Sequence, residues 1–407
     1  MSEQTTSQPR LAWYDREPNL VVHGFWRFLT AVTGALVLKS IFSSDIGHYF
    51  QVLRNIGFHN LPYRDFSWEF PPLTAITGLL IPISFDRRLV FFVWFTLLAI
   101  AVEVWTMRLT RRLVPEAERA RFSWYWLAVF VPLSLIAYFR FDWAAAAFAA
   151  LAMVGLFAQD RKRTVWGVFA SFAVKMWSVA ILVPLVARRK FVTAVVSAVA
   201  CLGLLVVWYL FSPAGFEAFL EYRKGSAFQI ESIPGAVVML ISNYEPFFQY
   251  GALMVSDQGW QWLQVAMPAT FVVGAIASLV ITWQRKTNLV AMVGGLVLLL
   301  LLTSRLFSPQ YMVWLAPFVA VLAVRHWKMF AWFGLASLLT LIEIQCYQSF
   351  IDGSRLVAAI VVVRNAILIG VMVQLFRIAW MKQWSDGRYD IESTSDVPSR
   401  LMPQRFR

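Results

Sequence analysis

Apolar runs of about 20 residues recur along the chain, joined by short polar segments; this is the length needed to cross a bilayer as a helix. The pattern predicts membrane helices at 25–42, 88–107, 123–139, 143–158, 191–211, 264–283, 288–304, 310–324, 327–347 and 356–380. Two segments do not fit a simple crossing. Residues 164–187 lie between two basic joints; as one helix they would extend about 36 Å, and as a broken-helix hairpin they would return to the side they left. The hairpin reading keeps the charge pattern consistent, with Lys175 and Trp177 near its tip. "PPLTAITGLLIPI" (71–83) is too short to cross and starts on two prolines, so an interfacial or re-entrant helix is expected. The fold class that follows is all-α, a polytopic integral membrane protein with about 12 membrane helices.

Charge sets the topology. Basic joints occur at 108–121, 159–163, 187–190, 284–286, 325–328 and 381–384. Read as cytoplasmic, they place both termini on that side. The opposite, external face then receives two long segments, 43–87 and 212–263, the second with a short apolar helix near 235–242. The expected organisation is a cytoplasmic tail (1–24), one polytopic unit (25–383) and a polar, disordered cytoplasmic tail (384–407).

Composition sharpens this picture. Of 407 residues, 59% are hydrophobic and 14% charged, too few charges for a soluble protein of this size. The net charge of +13 lies in joints and tails, so bilayer orientation accounts for it better than nucleic acid does. The polar first residues lack a signal-peptide core, so the first apolar run is expected to be retained. Cys201 and Cys346 both lie in apolar runs and form no framework. The chain has no zinc-type spacing, P-loop or GxGxxG, which argues against nucleotide hydrolysis.

The same topology gathers Asp45, His48, Asp65, Glu69, Arg140, Asp142, Arg223, Lys224, Glu231, Arg305, Gln310 and Asp352 at the external face, with Lys175 beneath them. Charge at a bilayer is costly and tends to be paired or functional. The stretch "SSDIGHYFQVLRNIGFHNLPYRDFSWEFPPL" (43–73) is long for a connector and rich in aromatics. On a helix past Asp45, residues Asp45, His48 and Tyr49 share a face. Asp45 is then either a general base beside a histidine or the N-cap of the helix 46–53. Arg140, Lys175 and Arg305 supply positive charge suited to a phosphate, or else pair with nearby acids, as Arg140 would with Asp142. Tyr49, Tyr63, Trp68, Trp143 and Trp177 either stack on ligand or form an interfacial belt. Arg364 and Asn365 either anchor the last helix or contact a head group.

Four stretches resemble polytopic GT-C-class glycosyltransferases, nearest to the family 87 type of polyprenyl-phosphate-sugar-dependent mannosyltransferases and arabinosyltransferases. They are "SDIGHYFQVLRNIGFHNLPYRDFSWEFPPLTAI", "RFDWAAAAFAALAMVGL", "ASFAVKMWSVAILVPL" and "RLFSPQYMVWLAPF", in the family's order across 25–380. Ser178 stands where a proline is common, and Gly47 replaces the second acid of an Asp-x-Asp pair. The resemblance implies a GT-C-like fold and inverting transfer of a hexose, most readily mannose, from a polyprenyl-phosphate donor to a lipid or glycan acceptor at the external face of the plasma membrane. Arabinofuranosyl transfer is the alternative. It implies Asp45 as catalytic base and Lys175, Arg140 and Arg305 as ligands of the donor phosphate. His48, Tyr49, Tyr63, Asp65, Trp68, Glu69, Asp142 and Gln310 would bind acceptor or sugar, or shape the loop. No cofactor or metal is expected, because a lipid phosphate is already a good leaving group. A lipid or sugar transporter or flippase is the rival from another class, although it would show internal repeats and a polar route between faces. A non-catalytic scaffold is a third reading.

Overall fold

The computed structural model describes residues 16–37, 45–56, 60–85, 87–221, 227–242, 244–249, 252–285 and 287–381. Arg223, Lys224, residues 1–15 of the expected N-terminal tail and the tail expected after 384 lie outside the described residues.

The protein is built of helices in the order the apolar runs predict. α1 (Leu20–Val37) and α2 (Asp45–Leu53) precede a 3₁₀ stretch, Pro72–Leu79, that runs into α3 (Leu80–Ile83). Then come α4 (Arg88–Arg111), α5 (Arg119–Ala137), α6 (Asp142–Phe157) and α7 (Arg161–Val174). After Lys175 a second 3₁₀ stretch, Met176–Ile181, leads into α8 (Leu182–Ala187), followed by α9 (Phe191–Phe211) and α10 (Pro213–Glu221). The next segment holds β1 (Phe228–Gln229), α11 (Ile233–Ile241), β2 (Phe247–Gln249) and β3 (Ala252–Val255). The chain finishes with α12 (Leu263–Gln284), α13 (Leu289–Leu302), α14 (Met312–Ala323), α15 (Trp327–Gln345), α16 (Tyr347–Ile351) and α17 (Arg355–Trp380).

Among the described residues, α4, α9, α12, α15 and α17 are long and apolar enough to cross a membrane by themselves. α6, α13 and α14 are shorter, and α13 and α14 are buried almost all round. A helix sheathed by others need not carry a polar stripe, which is why these runs are apolar at nearly every position. α1 begins earlier than the apolar pattern indicates. Arg27 sits within it because its guanidinium is neutralised: Nε donates to Glu103 Oε2 at 2.5 Å and Nη2 to Oε1 at 2.9 Å, while Trp126 Nε1 donates to the same carboxylate. The pair ties α1, α4 and α5 together at low cost in unpaired charge.

Residues 161–187 form the hairpin. Lys175 is extended (φ −152°, ψ 125°) and interrupts the helix. Ser178 Oγ donates back to the Val168 carbonyl at 3.2 Å, and Lys190 Nζ donates to Gln159 Oε1. In a continuous helix residues 159 and 190 would be more than 40 Å apart by the rise of about 1.5 Å per residue.

Cross-element contacts define the two ends of the bundle. Glu17 pairs with Arg111, Glu118 with Arg325, and Arg188 donates to the Thr287 carbonyl; the Asn288 amide reaches the Ala379 carbonyl. The described residues of the basic joints are tied to neighbouring elements by these contacts, and the alternation of helices carries Asp45, Arg140, Lys175 and residues 304–311 to the opposite end. The small sheet, with strand order β1-β3-β2 and Phe228 opposite Val255, is an addition to the all-helical expectation. It forms a second small core with α11, Phe350 of α16 and Val357 of α17, which settles β1, β3 and α11 onto the last helices.

Close helix approach rests on small residues. A Cβ on Gly167 would lie 2.4 Å from the Ala152 backbone nitrogen, and one on Gly155 2.6 Å from that of Thr164. Ser171 Oγ bonds the Ala145 carbonyl across the same seam at 2.9 Å. Because the obstacle is backbone, Gly167→Val is expected to force α6 and α7 apart and cost about 1–3 kcal/mol or more. A lower apparent Tm in detergent, relative to Gly203→Val where nothing lies nearby, is the measurement that checks it.

Candidate active site

The site forms where α2, the loop 60–71, the α5–α6 joint and the hairpin tip meet. α2 starts at Asp45, and its apolar residues Ile46, Tyr49, Phe50 and Leu53 face inward. This orientation brings the Asp45 carboxylate against the Arg140 guanidinium in an ion pair. Tyr49 Oη lies 3.5 Å from Asp45 Oδ2. Arg140 therefore pairs with Asp45 across the bundle rather than with Asp142 two residues on. The Asp45 side chain is about one-third exposed and that of Arg140 slightly less.

Arg140 also feels the charges and hydroxyls of Asp142, Tyr311, Tyr347 and Glu231. Asp142, at the start of α6, is buried and accepts from Trp314 Nε1 at 2.7 Å; it faces the charges of Lys175 and Arg140. Lys175 Nζ sits 4.8 Å from the centre of the Phe70 ring and 5.6 Å from that of Tyr311. The break in the hairpin thus aims an ammonium at the same space as Arg140. The aromatic floor is Tyr49 stacked on Phe141 at 4.1 Å and Tyr311 stacked on Trp314 at 4.3 Å.

Several residues expected to bind acceptor or sugar, or to shape the loop, make contacts within the protein. His48 does not join Asp45; its Nε2 lies 2.6 Å from Glu69 Oε1 and clips the loop to α2. Asp65 pairs with Arg64 at 2.8 Å and accepts from the Leu61 amide at 2.7 Å, closing a turn. Tyr63 takes a positive φ of 72°, is buried against Trp208 and donates to the Phe70 carbonyl at 2.6 Å. Trp68 is buried and donates to Thr74 Oγ1 at 2.9 Å. Gln310 is buried and accepts from Ser308 Oγ. Arg305 is half-buried, and its backbone carbonyl accepts from the Gln229 amide at 3.0 Å, which ties it to β1. Trp143 and Trp177 are buried as well, at 1% and 4% exposure, Trp177 stacked on Trp314. Arg364 is an anchor: fully buried, it pairs with Glu343 at 2.5 Å and donates to the Glu231 carbonyl at 2.6 Å.

Pattern reading gave Glu231 no role and passed over Tyr311 and Tyr347. They come from segments far apart in sequence; Glu231 and Tyr347 meet through a hydrogen bond of 3.0 Å when α11 and α16 dock on α17. No group of three or more His, Cys, Asp or Glu side chains converges among the described residues.

No protein-family model matches the chain, and no curated protein matches it. In structure it is similar to ArnT from Cupriavidus metallidurans. The crystal structure bound to undecaprenyl phosphate gives a TM-score of 0.46 at 14% identity over 86% of this chain and 76% of that one. The apo crystal structure gives 0.45 at 13% over 87% and 76%.

The His48–Glu69 contact predicts a pH response. The hydrogen bond to Glu69 raises the His48 pKa above 6.5, against a smaller effect of burial. A raised pKa means the contact contributes fully below the unfolded value and is lost as pH climbs through the folded one. The loop is therefore expected to loosen above about pH 6.5. Proteolytic cutting within 57–70 that rises with pH in the wild type, and is high and flat in His48→Gln, is the expected result.

Proposed function

We propose that the protein is a polyprenyl-phosphate-dependent glycosyltransferase that transfers a hexose, mannose first among the candidates, to a lipid or glycan acceptor at the external face of the plasma membrane. The observation that carries this reading is the Asp45–Arg140 pair with the Lys175 ammonium aimed into the same space. A base sits beside two cations at one end of a membrane-embedded bundle, where a lipid-borne phosphate arrives from the bilayer.

The chemistry follows from that arrangement. Lys175 and Arg140 hold the donor phosphate by charge-assisted hydrogen bonds. Arg140 is held by Asp45 when no donor is present; as the guanidinium turns to the phosphate, the carboxylate loses its counter-charge and becomes a stronger base. The acceptor hydroxyl oxygen then attacks the anomeric carbon, and its proton passes to Asp45. The bond from anomeric carbon to phosphate oxygen breaks, with the electron pair leaving on the polyprenyl phosphate. Lys175 and Arg140 stabilise the charge that develops there. Inversion at carbon follows from a single displacement. No metal is required in this scheme, since both cations are supplied by the chain. The loop residues Tyr63, Asp65 and Trp68 shape the wall, and His48–Glu69 fastens it.

The test is transfer of radiolabelled mannose from a polyprenyl-phosphate donor in membranes holding equal amounts of wild type and variants. Asp45→Asn is expected to lose about a hundredfold or more in rate. Lys175→Met is expected to lose a similar factor, as does removal of one preorganised donor to a developing charge. Arg140→Lys keeps charge but loses the planar fork and is expected to fall between. Labelling from the arabinose donor alone would reassign the sugar. Equal labelling by wild type and Asp45→Asn would remove Asp45 as base, and no labelling from either donor would remove the transferase reading.

A further inference from the structure

At the end of the bundle opposite Lys175, a cleft of about 290 Å³ opens between α7 and α9; it is lined by Arg161, Lys162, Val165, Trp166 and Val196. α7 runs from Arg161 to Val174, so the cleft lies about 20 Å from Lys175 by the helix rise. Arg161 is one turn from Val165, and Lys162 one turn from Trp166, so two cations and two apolar groups share a face. Both cations are exposed, Trp166 is 65% exposed and Val196 44%. Neither cation's side chain has an ion pair or hydrogen bond among the described residues. The adjacent acid, Asp160, is taken: it pairs with Arg163 Nε at 3.6 Å and accepts from the Arg163 amide at 3.0 Å. No other acid follows until Glu217, so α7, the hairpin and α9 offer Arg161 and Lys162 no counter-charge. Nearby cations are engaged elsewhere: Lys190 donates to Gln159 Oε1, and Arg188 to the Thr287 carbonyl at 2.5 Å.

Neighbouring residues mark the level of this cleft. At the start of α9, Arg189 lies over the Trp283 ring at 5.1 Å and Phe191 packs on the same ring at 5.7 Å. Tryptophan at the end of a membrane helix sits at the head-group level. Val196 is about 7 Å further along α9 by the helix rise. Val192, Val195 and Val199 beside it are exposed, on a helix long and apolar enough to cross the membrane. From this placement we propose that the cleft holds one phospholipid of net negative charge, its phosphate against Arg161 and Lys162 and one acyl chain along Val165, Trp166 and Val196. The chemistry selects the occupant. The apolar wall continues onto the exposed side of a membrane helix, so the occupant has a long apolar body. Two unanswered cations at a bilayer call for an anion, and a phosphate diester accepts charge-assisted hydrogen bonds from both. The Arg and Lys stems lie along apolar surface and hold their heads at the water edge. A zwitterionic head group brings its own cation, which these two repel. Basic pockets between membrane helices recognise anionic lipids in this way. The site stands whether or not the protein transfers sugar, and its occupant fastens the first arm of the hairpin to α9.

The experiment is native mass spectrometry of the purified full-length protein in detergent, titrated with phosphatidylglycerol, phosphatidylcholine or polyprenyl phosphate, with Tm measured on the same mixtures. Wild type is expected to bind phosphatidylglycerol about tenfold or more tighter than phosphatidylcholine, since each cation near a lipid surface contributes about fivefold. Arg161→Gln/Lys162→Gln is expected to lose that preference. Val196→Trp, which fills the cleft and leaves the charge unchanged, is expected to lose it too. Phosphatidylglycerol is expected to raise the Tm of the wild type and of neither variant. Arg112→Gln/Arg377→Gln removes the same charge from exposed positions elsewhere at that end and is expected to bind as the wild type does. Equal binding of the two phospholipids by wild type overturns the proposal, as does a preference kept by Arg161→Gln/Lys162→Gln. Equal loss in Arg112→Gln/Arg377→Gln also overturns it, because the attraction then belongs to the whole basic face. A preference kept by Val196→Trp takes the acyl chain out of the cleft and overturns the site as drawn. Polyprenyl phosphate that binds tighter than phosphatidylglycerol, and loses that margin in the cleft variants, overturns the phospholipid as occupant.

Discussion

Charge at the edge of a bilayer is tolerated only when another charge or a ligand answers it, and the Asp45–Arg140 pair is the answer this chain gives at the end of its bundle. The pair joins the first turn of α2 to the joint before α6, two elements 95 positions apart, so neither can settle without the other. Around it the fold follows. α2 must be pinned by its buried face of Ile46, Tyr49 and Phe50, the loop to Phe70 must wrap over Tyr49, and α6 must press close on α7 through Gly155 and Gly167 so that the hairpin tip delivers Lys175. Each of these is a packing demand, and each is met by small or aromatic residues at the position where it arises.

Two further buried pairs show the same rule used for architecture. Arg27 with Glu103 and Arg364 with Glu343 are buried; Arg27, Glu103 and Arg364 bond further neighbours, and Glu343 bonds Arg364. The pair at the bundle's end differs in being partly exposed and flanked by Lys175, Tyr311 and Tyr347. Complete burial marks the two struts; partial exposure sets the third pair apart. That contrast separates Arg140 from Arg364, which hydropathy alone could not do, since both are arginines next to apolar runs.

The helices were legible because a span must be apolar for most of its length, and 88–107, 191–211 and 264–283 differ from the observed elements by only a few residues at the ends. The hairpin was legible from the basic residues on both sides of it. Contacts within the outer-face set were not. His48 and Asp45 share a helix face, yet the fold of the loop presents Glu69 to His48 and leaves Asp45 for Arg140. Tyr63, Trp68, Trp143 and Trp177 have the composition of a stacking surface, but all four are buried: the first two as the core of their own loop, the others between the helices and the hairpin tip. Glu231 was legible only as one of a polar set, and Tyr347 carried no signal; the short elements that position them, β1 and α11 around Glu231 and α16 at Tyr347, are too brief to declare themselves by periodicity.

The central claim is that Arg140 is shared between Asp45 and a donor phosphate. A cryo-electron microscopy structure of the protein in a lipid nanodisc with polyprenyl phosphate bound tests it directly. The account predicts phosphate oxygens within hydrogen-bond distance of both Lys175 Nζ and the Arg140 guanidinium, with the Asp45 carboxylate released towards open space. A phosphate bound elsewhere, with Asp45 and Arg140 still paired, would contradict it.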